Sequence, residues 1–347
     1  MGCSTSSPKE FDETMYLTPS PYNILVERIL GVNDGFCGDR NIITWTPYNN
    51  AQRITETVNP AANRISVDVT DPLNIKKTKA IVIICHGLFE HGIRYTTVAE
   101  ELTKNDFIVY AIDHVSHGKS GGVRGFIVDW TVMPKDVANL AKLARRENPD
   151  LPLFIICHSM GTLITINALP DIPDVVAVVF SGCALVSGPG ASSPFGLKFM
   201  YPISQTSAAE SLGAFMSTID PKGPLAPIFV EELTTNTDEL KTYSKDPRRF
   251  QGQVMNKTGV EFLKMNKKAK ELLPYIKVPM LVIHGSDDTV CLSKGSDQLY
   301  NKSGTPDSEK KLEKFPHLKH EIFFERDGHL IISKAVNYIK VKIFHHN

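Results

Sequence analysis

A serine stands where the chain changes from strand-like to helix-like character. The apolar run from Leu153 to Cys157 ends at His158-Ser159-Met160-Gly161, and an apolar helical pattern follows at once. Strand, sharp turn and helix is the context in which a G-x-S-x-G motif exposes a serine hydroxyl as a nucleophile. Here the first glycine is replaced by cysteine, so the motif reads Cys157-x-Ser159-x-Gly161. A chance serine between an ordinary buried strand and helix is the alternative interpretation.

Two strand ends downstream of Ser159 carry the side chains that such a nucleophile needs. A serine requires a base to take its proton, and the base requires a carboxylate to fix its tautomer. The loop after the apolar run at 278–284 contains Asp287 and Asp288, and the loop after the run at 311–315 contains His317 and His320. The order serine, acid, histidine predicts a catalytic triad. The residues alone do not decide between the two aspartates or between the two histidines.

Neither the histidines nor the cysteines indicate a metal or a disulfide framework. His114 and His117 have the spacing of metal ligands but lack further partners, which favours structural roles. We expect no metal and no cofactor. Six cysteines are scattered without a C-x-x-C pair, which is typical of reduced thiols in a cytosolic protein; they are Cys3, Cys37, Cys85, Cys157, Cys183 and Cys291. Cys291 is three residues from Asp288, so we expect it near the site, either as a reagent-accessible thiol or as a buried loop thiol.

The elements that position these residues alternate between buried strands and helices, which predicts an α/β fold with a mostly parallel sheet and helices on both faces. Continuous apolar runs predict strands at 80–85, 107–112, 153–157, 175–180 and 278–284, and we expect a last strand at 311–315. Helical spacing predicts helices at about 94–104, 134–147 and 328–343. Shorter pieces at 24–26, 42–45 and 65–69 indicate two or three edge strands joined by a long irregular connection.

Residues 185–270 interrupt this alternation. They open on Gly188-Pro189-Gly190 and then carry an apolar cluster at Phe195, Leu197, Phe199 and Met200. We interpret them as a helical lid inserted into one domain, because strands of one sheet bound them on both sides. The predicted organisation is a disordered terminus at 1–20, a core formed by 21–184 and 271–347, and the inserted segment at 185–270.

Composition excludes several classes of protein. Lys and Arg together equal Asp and Glu at 38 each, and no basic stripe carries interleaved aromatics, so a nucleic-acid partner is not expected. No run approaches the ~18 apolar residues that a membrane-spanning helix needs. The first residues are polar, which does not fit a signal peptide.

The chain begins Met1-Gly2-Cys3-Ser4-Thr5-Ser6, which fits the M-G-x-x-x-[ST] pattern for myristoylation of Gly2. One myristoyl chain binds a membrane only marginally, so stable anchoring needs a second signal, and palmitate on Cys3 is the available one. We therefore expect a peripheral protein on the cytosolic face of a membrane. A disordered polar tail that happens to begin with glycine is the alternative.

From His86 to about His320 the chain resembles the serine hydrolases of the monoacylglycerol lipase and lysophospholipase family. The stretches that carry the resemblance are His86-Gly87…Glu90-His91-Gly92…Arg94-Tyr95, Asp113-His114…His117-Gly118…Ser120, His158-Ser159-Met160-Gly161, Gly285-Ser286-x-Asp288, Cys291…Ser293-Lys294-Gly295 and His320-Glu321. The inserted segment matches that family in position and length. The cysteine at 157, the long connection at 47–79 and the lipidation-like terminus depart from the family's pattern.

The resemblance implies an α/β-hydrolase that cleaves carboxylic esters of lipids, monoacylglycerols or lysophospholipids, through an acyl-serine intermediate. It assigns Ser159, Asp288 and His320 to the triad, and the backbone N–H groups of Leu88 and Met160 to the oxyanion hole. We expect His86 and Glu90 to organise the oxyanion loop; the alternative is that they only pack against it. An acyl-protein thioesterase or a broad small-ester esterase is the enzymatic alternative. A non-catalytic hydrolase-like scaffold, for which only Cys157 argues, is the third hypothesis.

Overall fold

The structure is a computed structural model that describes residues 23–47, 57–58, 65–66, 78–191 and 207–346. Gly2 and Cys3, which carry the lipidation hypothesis, lie outside the described residues. So does the apolar cluster at Phe195, Leu197, Phe199 and Met200.

Strands and helices alternate through most of the described chain. The strands are β1 (Asn23–Leu30), β2 (Arg40–Pro47), β3 (Thr57–Val58), β4 (Ile65–Ser66), β5 (Ala80–Cys85), β6 (Phe107–Ile112), β7 (Leu153–His158), β8 (Val175–Ser181), β9 (Pro224–Ala226), β10 (Val254–Met255), β11 (Met280–Gly285) and β12 (Lys310–Phe315). The helices are α1 (Thr96–Lys104), α2 (Val132–Glu147), α3 (Met160–Ala168), α4 (Ser207–Ile219), α5 (Thr237–Lys245), α6 (Asn256–Leu272), α7 (Lys294–Lys302) and α8 (Gly328–His346).

One 8-stranded sheet in the order β1-β2-β6-β5-β7-β8-β11-β12 organises the molecule. β1 and β2 pair antiparallel at one edge, and β5, β6, β7, β8, β11 and β12 pair parallel. Side chains of β5 alternate between two cores: Ile81 and Ile83 enter one, and Val82 and Ile84 enter the other. Both faces of the sheet are therefore buried, which explains why its strands read as continuous apolar runs. The predicted α/β fold is confirmed.

The predicted bounds of the parallel strands and the predicted starts of the three helices all fall within about two residues of the structure. β5 and β6 have the predicted bounds. The helix expected from about Arg94 begins as a 3-10 turn, Gly92–Tyr95, before α1. The helix expected from Pro134 begins at Val132, because proline is tolerated throughout a first turn whose N–H groups have no intrahelical acceptor. The first strands are longer than the apolar pieces suggested, since antiparallel pairing extends β1 over partly exposed residues and β2 over buried polar residues such as Arg40 and Asn41.

The segment predicted as a lid follows β8 and precedes β11 in the chain. Its described part contains α4, α5, α6 and a short antiparallel pair formed by β9 and β10. α6 ends at Leu272, two residues beyond the predicted boundary at 270. Within the described ranges, no helix is long and apolar enough to cross a bilayer.

Candidate active site

Ser159 lies in a strained turn between β7 and α3. Its backbone has φ 51° and ψ −123°, a left-handed conformation that costs a non-glycine residue ~1–3 kcal/mol. The N–H of Ser159 donates to the carbonyl of Ser181 at 3.0 Å, which ties the turn to the neighbouring strand. The turn leaves Ser159 partly exposed, although the residues on either side of it are buried. A strained, accessible serine at the carboxyl end of a central strand is the geometry predicted for a nucleophile elbow.

The structure brings Ser159, His320 and Asp288 together. The Ser159 hydroxyl donates to His320 Nε2 at 2.8 Å, and His320 Nδ1 donates to Asp288 Oδ2 at 2.7 Å. His320 and Asp288 are both buried. Serine, imidazole and carboxylate in one chain of hydrogen bonds can activate the hydroxyl for attack on an electrophilic carbon.

Asp288 is held by groups of its own loop and by His284. Its Oδ1 accepts the N–H groups of Val290 at 2.8 Å and Cys291 at 2.9 Å. His284 Nε2 lies 3.0 Å from Oδ2, and the Ser296 hydroxyl bonds the other ring nitrogen of His284 at 2.6 Å. The carboxylate therefore keeps one oxygen aimed at the imidazole of His320.

The electrostatics of the pair favour ionised aspartate beside a basic imidazole. Burial raises the pKa of Asp288, but the charges and hydrogen bonds of His320 and His284 outweigh burial and hold that pKa below its ordinary range. Burial lowers the pKa of His320, but Asp288, with smaller contributions from Glu321 and Glu90, raises it above its ordinary value overall. The imidazole is thus a stronger base than a free histidine.

The competing residues of each pair face solvent. The Asp287 side chain is 53% exposed and that of His317 is 91% exposed, and they lie 3.7 Å from each other. The Ser286 hydroxyl bonds Asp287 rather than Asp288. The structure therefore unites Asp288 and His320 with the serine and leaves Asp287 and His317 on the surface.

Leu88 and Met160 lie on the two segments that flank the nucleophile. Met160 is the first residue of α3, where the backbone N–H has no intrahelical acceptor. Leu88 belongs to the loop after β5, and a Cβ on the preceding Gly87 would come within 3.0 Å of the Ser159 Cβ. The N–H of Gly87 itself donates to Glu90 Oε2 at 2.7 Å. The loop thus passes close over the serine, with Leu88 next in sequence to the bonded peptide.

His86 belongs to a buried imidazole cluster that it forms with His114 and His117. Ring centroids of His86 and His114 lie 4.3 Å apart, and those of His86 and His117 lie 5.3 Å apart. His86 Nδ1 donates to the Gly87 carbonyl and its Nε2 accepts the His114 N–H. Burial, together with the neighbouring imidazoles, lowers the pKa of His86 and of His114, and burial lowers the pKa of His117 to about 4. The cluster is neutral at pH 7 and packs beneath the Leu88 loop.

Cys157 faces the core below the elbow rather than the nucleophile's open side. It is fully buried opposite Cys85 in the β5–β7 register, and its thiol lies 3.5 Å from the Val179 carbonyl. The close approach of strand and helix falls instead on Gly161, where a Cβ would meet the Cys85 carbonyl oxygen at 2.2 Å. Burial raises the pKa of Cys157 and also that of Cys291, whose neighbours include the Ser159 hydroxyl. Both are buried thiols.

Sequence reasoning gave no role to His158, Glu321 or Glu239, although the first two lie in stretches that carry the family resemblance. His158 lies beside His320, with ring centroids 4.7 Å apart and ring planes tilted by 46°, and its Nε2 lies 3.5 Å from Glu321. Ligand atoms of His158, His320 and Glu321 lie within 4.8 Å of one another, a spacing that could hold a metal ion. His320 already bonds Ser159 and Asp288, so a metal there would have to displace the serine. Glu321 could have been found from its position next to the base in the sequence. Glu239 could not, because its contact with Arg94 joins residues 145 positions apart.

Comparison with known proteins identifies the relatives of this chain. The family model described as serine aminopeptidase, S33 (Hydrolase_4) matches residues 76–327. The monoglyceride lipase of Rattus norvegicus is 30% identical over 234 residues, which cover 67% of this chain and 73% of the relative. The monoacylglycerol lipase of Mycolicibacterium smegmatis is 27% identical over 80% of this chain and 92% of its own. The crystal structure of Paleococcus ferrophilus monoacylglycerol lipase superposes with a TM-score of 0.63 at 26% identity, covering 76% of this chain and 94% of that one.

Proposed function

The chain belongs to the serine aminopeptidase S33 family of α/β-hydrolases, and from its similarity to monoacylglycerol lipases we propose that it cleaves monoacylglycerols or lysophospholipids. It is a serine ester hydrolase of the monoacylglycerol lipase type, as its relatives show. Lipid ester as the substrate class follows from the names of those relatives. The choice between the two kinds of lipid is our proposal.

We assign the steps to the residues that the fold brings together. Ser159 Oγ attacks the ester carbonyl while His320 Nε2 takes its proton, and Asp288 stabilises the imidazolium that forms. The oxyanion receives the N–H groups of Leu88 and Met160; removing one such donor typically costs ~3 kcal/mol of transition-state stabilisation. The imidazolium then protonates the leaving alcohol. Water, deprotonated by His320, attacks the acyl-serine and releases the carboxylic acid and the free serine.

The observation that carries this assignment is the hydrogen-bonded chain from Ser159 through His320 to Asp288, at 2.8 Å and 2.7 Å. Geometry of this kind recurs in unrelated acyl-transfer enzymes. It supports acyl transfer in general, and the relatives support a lipid ester within that class.

A substrate panel tests the proposal. Hydrolysis of a long-chain monoacylglycerol, lysophosphatidylcholine, an acyl-protein thioester and short p-nitrophenyl esters is compared at equal enzyme concentration, with Ser159→Ala as the blank. The highest kcat/KM on one of the two lipids supports the proposal. A preference for the thioester supports the protein-thioesterase alternative, and indifference between lipid and short esters supports a broad esterase. No turnover of any ester by a folded enzyme would favour the scaffold hypothesis.

We further propose that myristate on Gly2 and palmitate on Cys3 hold the protein on the cytosolic face of a membrane, where a lipid substrate resides. The support is the match to the myristoylation pattern and the cysteine beside it. Metabolic labelling with an alkyne myristate tests the first step, with Gly2→Ala as the matched control. Absence of label on the wild type, or equal label on Gly2→Ala, would reject the anchor without affecting the hydrolase assignment.

A further inference from the structure

A buried arginine joins three separate parts of the chain beside the catalytic residues. Arg94 is 7% exposed and lies in the 3-10 turn after the Leu88 loop. Its guanidinium bonds Glu90, Glu321 Oε2 at 2.8 Å and Glu239 Oε1 at 2.8 Å. Burial lowers the pKa of Arg94, but the three carboxylates raise it above its ordinary range, so the side chain stays charged. One guanidinium therefore bonds three acidic groups from three segments.

The first carboxylate connects Arg94 to the oxyanion loop. Glu90 bonds Arg94 through Oε1, and its Oε2 accepts the N–H of Gly87 at 2.7 Å and the hydroxyl of Tyr95 at 3.0 Å. Gly87 precedes Leu88, whose N–H we assign to the oxyanion. A displacement of Glu90 thus rotates the peptide beside that donor.

The second carboxylate connects Arg94 to the base. Glu321 follows His320 in the chain and is 3% exposed. Its N–H donates to the Leu233 carbonyl at 2.7 Å. Its negative charge contributes to raising the pKa of His320. Holding Glu321 therefore fixes both the position and the basicity of the imidazole.

The third carboxylate comes from the inserted segment. Glu239 lies in the first turn of α5, and Tyr243, one helical turn later, places its ring 5.1 Å from the Arg94 guanidinium carbon. Phe324 covers that carbon from 3.7 Å. Asn236 caps α5 by accepting the N–H groups of Asp238 and Glu239, which fixes where the helix begins. The carboxylate of Glu239 and the ring of Tyr243 thus hold α5 against Arg94.

We propose that Arg94 is a positioning residue through which helix α5 controls the reactivity of Ser159, with Glu239 as the contact that α5 supplies. When α5 is seated, Nη2 is satisfied and Nη1 is held between Glu90 and Glu321. When α5 withdraws, Nη2 loses its acceptor and the guanidinium shifts among the remaining carboxylates, which loosens the Leu88 loop. The contact of α5 with Arg94 then sets how well the oxyanion hole is assembled. The inference deepens the proposed function and rests on its assignment of Ser159 and Leu88.

The test compares Glu239→Ala with Asp238→Ala. Both residues are acidic and lie in the first turn of α5, so both substitutions remove the same helix-dipole interaction. The Asp238 side chain is 83% exposed and contacts Lys241, whereas Glu239 contacts Arg94. The readout is the second-order rate of Ser159 labelling by a small fluorophosphonate, which needs the nucleophile and the oxyanion hole but no particular lipid. We expect Glu239→Ala to slow labelling about 3- to 10-fold, and Asp238→Ala to leave it within about 2-fold.

Three further measurements separate positioning from loss of fold. Glu239→Gln keeps an acceptor for Nη2, so its rate should fall between those of wild type and Glu239→Ala, with a melting temperature equal to that of Asp238→Ala. The effects of Glu239→Ala and Glu90→Gln should not add, because both act through Arg94. The acid-limb pKa of labelling should move down in Glu321→Gln and stay in place in Glu239→Ala.

Equal labelling rates for wild type and Glu239→Ala would overturn the proposal, as would additive effects of Glu239→Ala and Glu90→Gln. A lipid panel that disfavours monoacylglycerol leaves this test intact, because labelling does not depend on the ester. The two proposals therefore fail separately.

Discussion

Replacing Cys157 by alanine and then by glycine tests whether the unusual elbow is catalytically impaired. The side chain points into the core opposite Cys85, and tight packing against the helix falls on Gly161 instead. Restoring the common glycine should therefore not improve catalysis. We expect kcat to stay within about 2-fold of wild type for both variants, because Ser159 keeps its backbone conformation and its bond to His320.

Both substitutions of Cys157 should instead lower the free energy of unfolding. Cys157 is fully buried, so alanine removes the thiol's contacts and leaves a small cavity, worth ~1 kcal/mol in the free energy of unfolding. Glycine removes one more buried carbon and adds the backbone entropy of glycine in a strand, a further ~1 kcal/mol. The total of ~2 kcal/mol corresponds to a fall of a few degrees in the melting temperature for a chain of this size.

The assay pairs thermal unfolding with kcat on a soluble ester, normalised to the active-site concentration found by phosphonate titration. Stepwise loss of stability at constant kcat supports the argument. A glycine variant with kcat raised 10-fold or more would refute it, because the cysteine would then be straining the elbow.

Further predictions concern the acid, the pH dependence and the elbow glycine. Asp288→Asn should lower kcat by about 10³- to 10⁴-fold, whereas the matched change Asp287→Asn should leave it within about 2-fold. Because the pKa of His320 is raised above 6.5 and the base must be neutral, kcat/KM should fall as the pH decreases through a pKa above that value. The imidazole cluster should destabilise the fold in acid, since its members have folded-state pKa values below 6.5 and bind protons more readily when unfolded. The free energy of unfolding should therefore fall from about pH 6.5 towards pH 4, by up to ~1.4 kcal/mol per pH unit for each histidine. Gly161→Ala should destabilise the protein by ~3 kcal/mol, because its Cβ would overlap a backbone oxygen.

Each of these has a clear contrary result. Equal kcat losses in the two asparagine variants would show that Asp288 has no catalytic role that Asp287 lacks. An acid limb at or below pH 6.5 would contradict the basicity assigned to His320. Melting temperatures that stay flat between pH 7 and pH 4.5 would show that the cluster does not bury neutral imidazoles; His320, with its raised pKa, acts in the opposite direction but is one residue against three. A stable, active Gly161→Ala enzyme would show that helix and strand are not in close contact.

The sheet was predictable because its strands are buried on both faces. Continuous apolar runs such as those of β5 and β6 leave no alternative period, and their bounds match the structure. The predicted strand bounds were wrong where burial is partial. β1 is an edge strand with many half-exposed residues, and the apolar stretch used to predict it covers only part of its length. The start of α2 was misplaced because proline fits any position of a first turn.

The sequence alone predicted which loops carry the acid and the base, but not which residue of each loop plays the role. Adjacent residues such as Asp287 and Asp288 point in different directions, and only the three-dimensional path of the loop shows which one meets an imidazole. The resemblance to known hydrolases favoured Asp288 and His320, and these are the residues the structure brings to Ser159. Contacts between distant segments carry no local signal, so the bond of Arg94 to Glu239 could not be read from spacing.

The most direct test of the account is to find the atom that a fluorophosphonate modifies. Incubation of the wild type, followed by intact-mass measurement and peptide mapping, should give one adduct, on Ser159. Ser159→Ala should give none, and His320→Ala should react far more slowly. A folded wild-type protein that stays unmodified, or an adduct on another residue that persists in Ser159→Ala, would contradict the central claim.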